Sequence, residues 1–235
     1  MIRNSSLNKA FNTQNQSHKS LRNLFYLEDV TVNYGANRGL NHVQFSVERG
    51  EIVFITGVSG AGKSTLLRVL AGEIEPDSGR IKRPDSSIFI SQVFQDLRLM
   101  GTLTCRENLK ICYDPAFYSS RKEFEKDLNE LSRILGISDR LDILVKNANG
   151  GLKQKIAIIR ALLSRPDIII CDEPTSSLDS ECARKIFEIL NLYNVKRKLT
   201  VIWASHNKEL VKQFSGRIVH IDSGKLVYSG HACFI

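Results

Sequence analysis

The run GVSGAGKST, residues 57–65, fits the pattern G-x-x-x-x-G-K-[ST] at every fixed position. Residue types in this order suit one task, the holding of a polyphosphate. Gly57, Gly60 and Gly62 let the backbone curl so that successive N–H groups point at one centre. A helix beginning there adds partial positive charge from its unpaired N–H groups. Lys63 brings a full charge to the outer phosphates, and the Ser64 hydroxyl suits Mg²⁺. The candidate cradle is therefore Gly57, Val58, Ser59, Gly60, Ala61, Gly62, Lys63, Ser64 and Thr65. A second cluster lies in IIICDEP, residues 168–174, where an apolar run ends on Asp172 and Glu173. Parallel sheets place ligand-binding groups at the carboxyl ends of their strands. Asp172 suits the outer coordination of Mg²⁺. Glu173, one residue further, suits a base that polarises an attacking water.

Those residues need particular elements to position them. EIVFITG, residues 51–57, reads as a buried strand entering the glycine turn, and KSTLLRVLAGEI as a helix with apolar residues at helical spacing. FYLEDVTVNY and LNHVQFSVERG alternate apolar and polar residues, which predicts antiparallel strands ahead of it. SSIFISQVFQ is a further predicted strand. Residues 104–165 are predicted to be mostly helical, RKEFEKDLNELSRILGI giving a clear amphipathic face. The β pattern resumes at DIIIC, LTVIWAS, GRIVHI and KLVYSG. Apolar strands alternating with helices indicate a parallel sheet covered on both faces. The expected fold is α/β: a P-loop NTPase core with a RecA-like parallel sheet, an N-terminal antiparallel β subdomain, and an inserted α-helical subdomain at about 97–165.

The chain has 235 residues, 42% hydrophobic and 25% charged, enough to bury one substantial core. No segment approaches the eighteen or so apolar residues of a membrane span, so any membrane role is expected to come through a partner. No signal-peptide pattern is seen. Five cysteines, at 105, 112, 171, 182 and 233, show no CxxC spacing, which favours reduced thiols over structural zinc or disulfides. Half of the net charge of +8 lies in the first 25 residues, where Arg3, Lys9, Lys19 and Arg22 face no acidic residue. Residues 1–24 are expected to be a flexible basic tail. Contact with anionic lipid or nucleic acid, or an organellar leader, are the alternatives for it. Residues 25–235 are expected to form the domain, only mildly basic, for which no nucleic-acid partner is expected.

The order of these motifs resembles the nucleotide-binding domain of the ATP-binding cassette (ABC) ATPases over roughly residues 25–231. Tyr34 in VNYG sits where that family places an aromatic that stacks on adenine. Gln95 in QVFQD resembles the glutamine that touches Mg²⁺ and hinges the helical subdomain. SSLD, residues 176–179, resembles the loop that crosses the dimer interface, making Asp179 a site candidate. His206 in VIWASHN resembles the switch histidine at the γ-phosphate. The family's Leu-Ser-Gly-Gly-Gln reads Ala148-Asn149-Gly150-Gly151-Leu152 here, with Lys153 and Lys155 where Gln and Arg are common. The resemblance implies ATP and Mg²⁺ as ligands, catalysis by Glu173 with His206, and metal contacts from Ser64, Gln95 and Asp172. It also implies a head-to-tail homodimer whose ATP is sandwiched between one P-loop and the other subunit's Asn149, Gly150 and Gly151. The Asn149 NH₂ can still donate to a phosphate oxygen. A misaligned donor weakens stabilisation of the transition state by roughly two to four kcal/mol, so slow hydrolysis is expected.

Within that family, VFQDLRLMGTLTCRENL, residues 93–109, and GVSGAGKSTLL resemble the cell-division ATP-binding group FtsE. That likeness implies an FtsX-like integral membrane partner docked around residues 96–112, regulation of septal peptidoglycan hydrolysis, and a peripheral place on the cytoplasmic face of the inner membrane. The alternatives are the ATPase of a lipoprotein-release or macrolide-export type transporter, and a weakly hydrolysing ATP-binding adaptor. A DNA-repair or translation ABC ATPase would call for tandem cassettes, coiled-coil arms or a zinc insertion, none of which the sequence contains.

Overall fold

The computed structural model describes residues 23–35 and 37–231; the basic segment 1–22 lies outside them. Strand β1 (Asn23–Tyr34) pairs antiparallel with β2 (Asn37–Glu48), starting two residues before the expected domain boundary, at Asn23 opposite Glu48. On its other edge β1 receives β4 (Ser78–Lys82), a strand that the sequence reading missed. Its five residues are mostly exposed, so SGRIK carries no apolar alternation to betray it. The main sheet runs β5 (Ile90–Val93), β6 (Ile168–Asp172), β7 (Thr200–Ser205), β3 (Ile52–Thr56), β8 (Arg217–Asp222), β9 (Lys225–His231). Its first five strands are parallel and β9 returns antiparallel.

Period-two alternation sorts the side chains of this sheet between two cores. Phe54, Ile169, Cys171, Val201 and Trp203 face one side. Val53, Ile55, Ile168, Ile170, Ile202 and Ala204 face the other, with the antiparallel sheet and helix α1 (Lys63–Leu70). The strands buried on both faces therefore read as continuous apolar runs. On the first side lie α2 (Cys105–Lys110), α3 (Arg121–Ile134), α4 (Gly150–Leu163) and α5 (Ser180–Arg197), followed by the short α6 (Lys208–Lys212). The helical block between β5 and β6 has no core of its own. Phe124, Leu128 and Leu131 of α3 belong to the same apolar cluster as Trp203.

Register then positions the site. Thr56 lies opposite Ser205, and Asp172 opposite Ala204, so β3, β7 and β6 end level with one another. Whatever follows those three strands is delivered to one edge of the sheet.

A polar clamp closes α3 onto the end of α4. Arg165 has a left-handed backbone (φ 50°) and donates to Phe117 O, Glu123 Oε1 and Asp127 Oδ2 at 2.6, 2.6 and 3.0 Å. Its guanidinium also lies 3.8 Å over the Tyr118 ring. Hydrogen bonds from Ser119 and Arg165 hold the Glu123 carboxyl down at about 2, against an ordinary 4.5. A depressed carboxylate stabilises the fold above its unfolded value and loses that contribution as pH falls through the folded value. Arg165→Met is therefore expected to lower stability most at neutral pH. The gap to the unaltered chain should narrow between pH 4.5 and about 2, as followed by denaturant unfolding across that window.

Candidate functional site

The turn after β3 is built by close approach. A Cβ on Gly57 would collide with the Ile221 carbonyl, and one on Gly62 with the Gly39 carbonyl. Gly62 also takes φ 108°, which side chains rarely adopt. Gly62 is the N-cap of α1 and no side chain caps that helix. Its first N–H groups thus face the cleft above the turn with the dipole's positive end. This cleft, about 780 Å³, is lined by Gly57, Val58, Ser59, Gly60, Gly62, Lys63, Ser64 and Thr65. Ala61 is buried beneath it, where its carbonyl accepts from the Gly224 N–H.

Lys63 is 7% exposed, and Nζ donates to the Gly57 and Val58 carbonyls at 2.9 and 3.1 Å. The Glu173 carboxylate stands 3.6 Å away and accepts from His206 Nδ1 at 2.8 Å. Glu173 has φ 50°, an uncommon backbone for a residue with a side chain, and its N–H is held by the Ala204 carbonyl at 3.0 Å. Pro174 follows it and disfavours the right-handed helical alternative. The level strand ends thus bring Gly57, Glu173 and His206 to one place, although 116 and 33 residues separate them along the chain (173 − 57 and 206 − 173).

Asp172 sits one layer below. Burial pushes its carboxyl upward, opposed by a hydrogen bond with the Ser64 hydroxyl. Its Oδ1 is buried with no hydrogen-bond partner in the structure. A buried, orphaned carboxylate oxygen beside a serine hydroxyl is the donor set of a hard cation, and it fits Mg²⁺. Gln95 is exposed and lines the same cleft, as does Tyr34, 47% exposed, whose ring lies where a Cβ on Gly39 would sit, at 2.7 Å. Ser176, the first residue of the SSLD loop, lines this cleft too, and four more residues of its wall escaped the sequence reading: Asn37, Arg38, Gly39 and Lys208. Arg38 and Lys208 are cations beside a phosphate motif, but nothing in their local spacing set them apart from any exposed base.

The remaining candidates lie elsewhere. Asn149, Gly150, Gly151 and Asp179 line a separate cleft of about 540 Å³ with Arg140, Lys155 and Ser177. Asn149 is the N-cap of α4, its Oδ1 accepting from the Leu152 N–H at 2.9 Å. That leaves its NH₂ as the free donor. Asp179 caps α5 by accepting from the Cys182 N–H at 2.7 Å, which holds its carboxyl below the usual range. Within one chain, the glycine pair and the P-loop face different clefts.

This pairing of fold and cleft has relatives. The family model described as ABC transporter matches residues 40–176, more than half of the chain. The chain is 33% identical over 223 residues to the methionine import ATP-binding protein MetN of Lactobacillus johnsonii, covering 87% of this chain and 63% of that protein. It is 33% identical over 229 residues to the phosphonates import ATP-binding protein PhnC of Fusobacterium nucleatum, covering 88% and 92%. Among solved structures, the dimeric post-hydrolysis ATP-binding cassette MJ0796 bound to ADP and Pi matches at a TM-score of 0.76 with 27% identity, covering 90% and 100%. The chain belongs to the ABC transporter family. What it carries is that family's ATP-hydrolysing cassette, a P-loop core with an antiparallel β sheet beside it.

Asp172→Asn removes the charge that burial disfavours while keeping the shape. It is expected to raise the unfolding temperature at neutral pH in the absence of nucleotide and to abolish Mg²⁺-dependent ATP turnover. A lower unfolding temperature, measured by calorimetry, would refute the assignment of Asp172 as a group strained for metal binding.

Proposed function

We propose that this chain is the ATP-binding and hydrolysing motor subunit of an ABC-type membrane complex, working as a head-to-tail homodimer. The observation that carries the reading is the separation of two half-sites on one chain, one with Lys63, Glu173 and His206, the other with Asn149, Gly150 and Gly151. A second copy turned head to tail would set its glycine pair over the first copy's P-loop. Each nucleotide would then be enclosed by one turn and one foreign helix N-terminus. Among the described residues no helix is long and apolar enough to cross a membrane, which fits a subunit that reaches the bilayer through a partner.

The chemistry follows from the residues. Tyr34 stacks on the base, and the N–H groups of residues 57–65 with Lys63 hold the phosphates. Ser64, Gln95 and Asp172 would hold Mg²⁺, which when bound neutralises charge on the β- and γ-phosphate oxygens. Glu173 takes a proton from a water whose oxygen attacks the γ-phosphorus, and the bond from that phosphorus to the bridging oxygen breaks. His206 holds the Glu173 carboxylate and faces the γ-phosphate. Asn149 of the other copy donates its NH₂ to the same phosphate, less well aligned than a hydroxyl.

Besides the lipoprotein-release or macrolide-export type of permease, two partner types have specific support. Residues 93–109 favour an FtsE-like subunit paired with an FtsX-like membrane protein that regulates septal peptidoglycan hydrolysis. The docking surface at 96–112 presents exposed Met100 and Ile111. Its loop is fixed by Arg160, which donates to the Leu97 and Arg98 carbonyls at 2.8 and 2.7 Å. The relatives named for methionine and phosphonate import favour an import permease instead. Affinity capture of the chain from membranes with mass-spectrometric identification of the bound integral protein separates the two.

With Mg²⁺ and ATP, Glu173→Gln is expected to double in mass by light scattering and to lose turnover by roughly 10² or more. A strictly monomeric nucleotide-loaded protein would defeat the dimer reading. Asn149→Ser keeps a helix cap, so it is expected to leave the unfolding temperature nearly unchanged while raising kcat. A fall in kcat would show that Asn149 is not the weak donor.

A further inference from the structure

The two clefts share a wall. Ser176 lines the P-loop cleft, while Ser177, Leu178 and Asp179 line the glycine-pair cleft. One buried side chain grips the crossing point. Gln154 of α4 is 6% exposed; its NH₂ donates to Ser176 Oγ at 2.7 Å, and its carbonyl accepts from the Ser177 N–H at 3.0 Å. Both faces of its amide are thereby used on one two-residue segment.

That segment leads directly to the base. The Ser176 N–H donates to the Glu173 carbonyl at 3.2 Å, and Glu173 holds its uncommon backbone against β7. In the other direction, Gln154 stands three and four residues beyond Gly151 and Gly150, on the same face of a continuous helix. A displacement of the α4 N-terminus is therefore passed to Ser176, and so to Glu173, through two hydrogen bonds and one helical turn. The path is contiguous, and the Gln154 side chain at its centre is buried.

We propose that Gln154 is a positioning residue that couples the glycine-pair cleft of each chain to the Glu173 of that same chain. A triphosphate seated against α4 by the partner subunit would set the base of the first chain's own site, so each of the two sites reads the occupancy of the other. This rests on the head-to-tail dimer proposed above.

The test is ATP turnover as a function of ATP concentration for the full chain and three variants. Gln154→Leu keeps the bulk and loses both hydrogen bonds. Gln154→Glu can keep both, because a carboxylate accepts from the Ser177 N–H and from a rotated Ser176 hydroxyl. Gln154→Asn stays polar but falls one methylene short, and gives the same readout should the leucine variant fail to fold. The unaltered chain is expected to show a Hill coefficient above unity. The Leu and Asn variants should lose kcat by roughly ten- to a hundredfold, as for a misplaced catalytic group, with the Hill coefficient falling to unity and the half-saturating ATP concentration unchanged. The Glu variant should recover cooperativity. Placed in the Glu173→Gln background, Gln154→Leu should still dimerise with ATP.

Hyperbolic turnover by the unaltered chain, or full kcat and cooperativity in both the Leu and Asn variants, overturns the inference. So does a loss that follows ATP affinity and is not rescued by Glu, which marks a structural role. If Glu173→Gln alone stays monomeric with ATP, the dimer reading falls and this inference with it.

Discussion

The Lys63 ammonium, 7% exposed at the edge of a parallel sheet, has to be surrounded by oxygen. A charge removed from water is tolerated only when paired and hydrogen-bonded. Two carbonyls of its own turn and the Glu173 carboxylate meet that need. Much of the architecture serves this requirement. The glycines let the turn fold over the ammonium, and β6 must end level with β3 for Glu173 to arrive. His206, at the end of β7, binds the far side of the same carboxylate. On the function proposed above, a polyphosphate would bring competing oxygens to Lys63 and release Glu173 towards water, so that binding and activation of the base would be two sides of one electrostatic exchange.

The glycine-pair cleft follows a different logic. Its floor is a helix N-terminus, and the residue that caps it is also the one that faces the cleft. Asn149 can do both because its carboxamide has an acceptor end for the Leu152 N–H and a donor end left over. A serine performs both roles with a single hydroxyl, more compactly. Asn149 therefore preserves the helix start, and on the dimer proposed above it would differ from a serine only in the reach and plane of its donor.

Helix α4 joins these features mechanically. Over 14 residues, about 21 Å, it carries Asn149 and the glycines at one end and Arg160 in its last turns. Gln154 holds the segment after Glu173, and Arg160 holds the backbone at Leu97 and Arg98, both at positive φ. The Arg165 clamp beyond its end fixes α3. The helix and the residue just past its end thus carry side-chain grips on the segment after Glu173, on the 97–98 loop and on the helical block.

Local chemistry was legible in the chain itself. The P-loop, the Asp172–Glu173 pair after an apolar run and the Gly-Gly helix start are each defined by residue types a few positions apart, and the structure places each on the element expected of it. Gln154 offered one signal, a polar residue on the face of α4 that otherwise buries Ala157, Ile158 and Ala161. Strand β4, too short and too exposed to alternate, offered none. Only the tertiary structure decided which candidates share a cleft. Glu173 and His206 join the P-loop while Asp179 joins the glycines, because membership depends on the register of strands far apart in the chain, and hydrogen bonds between strands are not written in the spacing of either one.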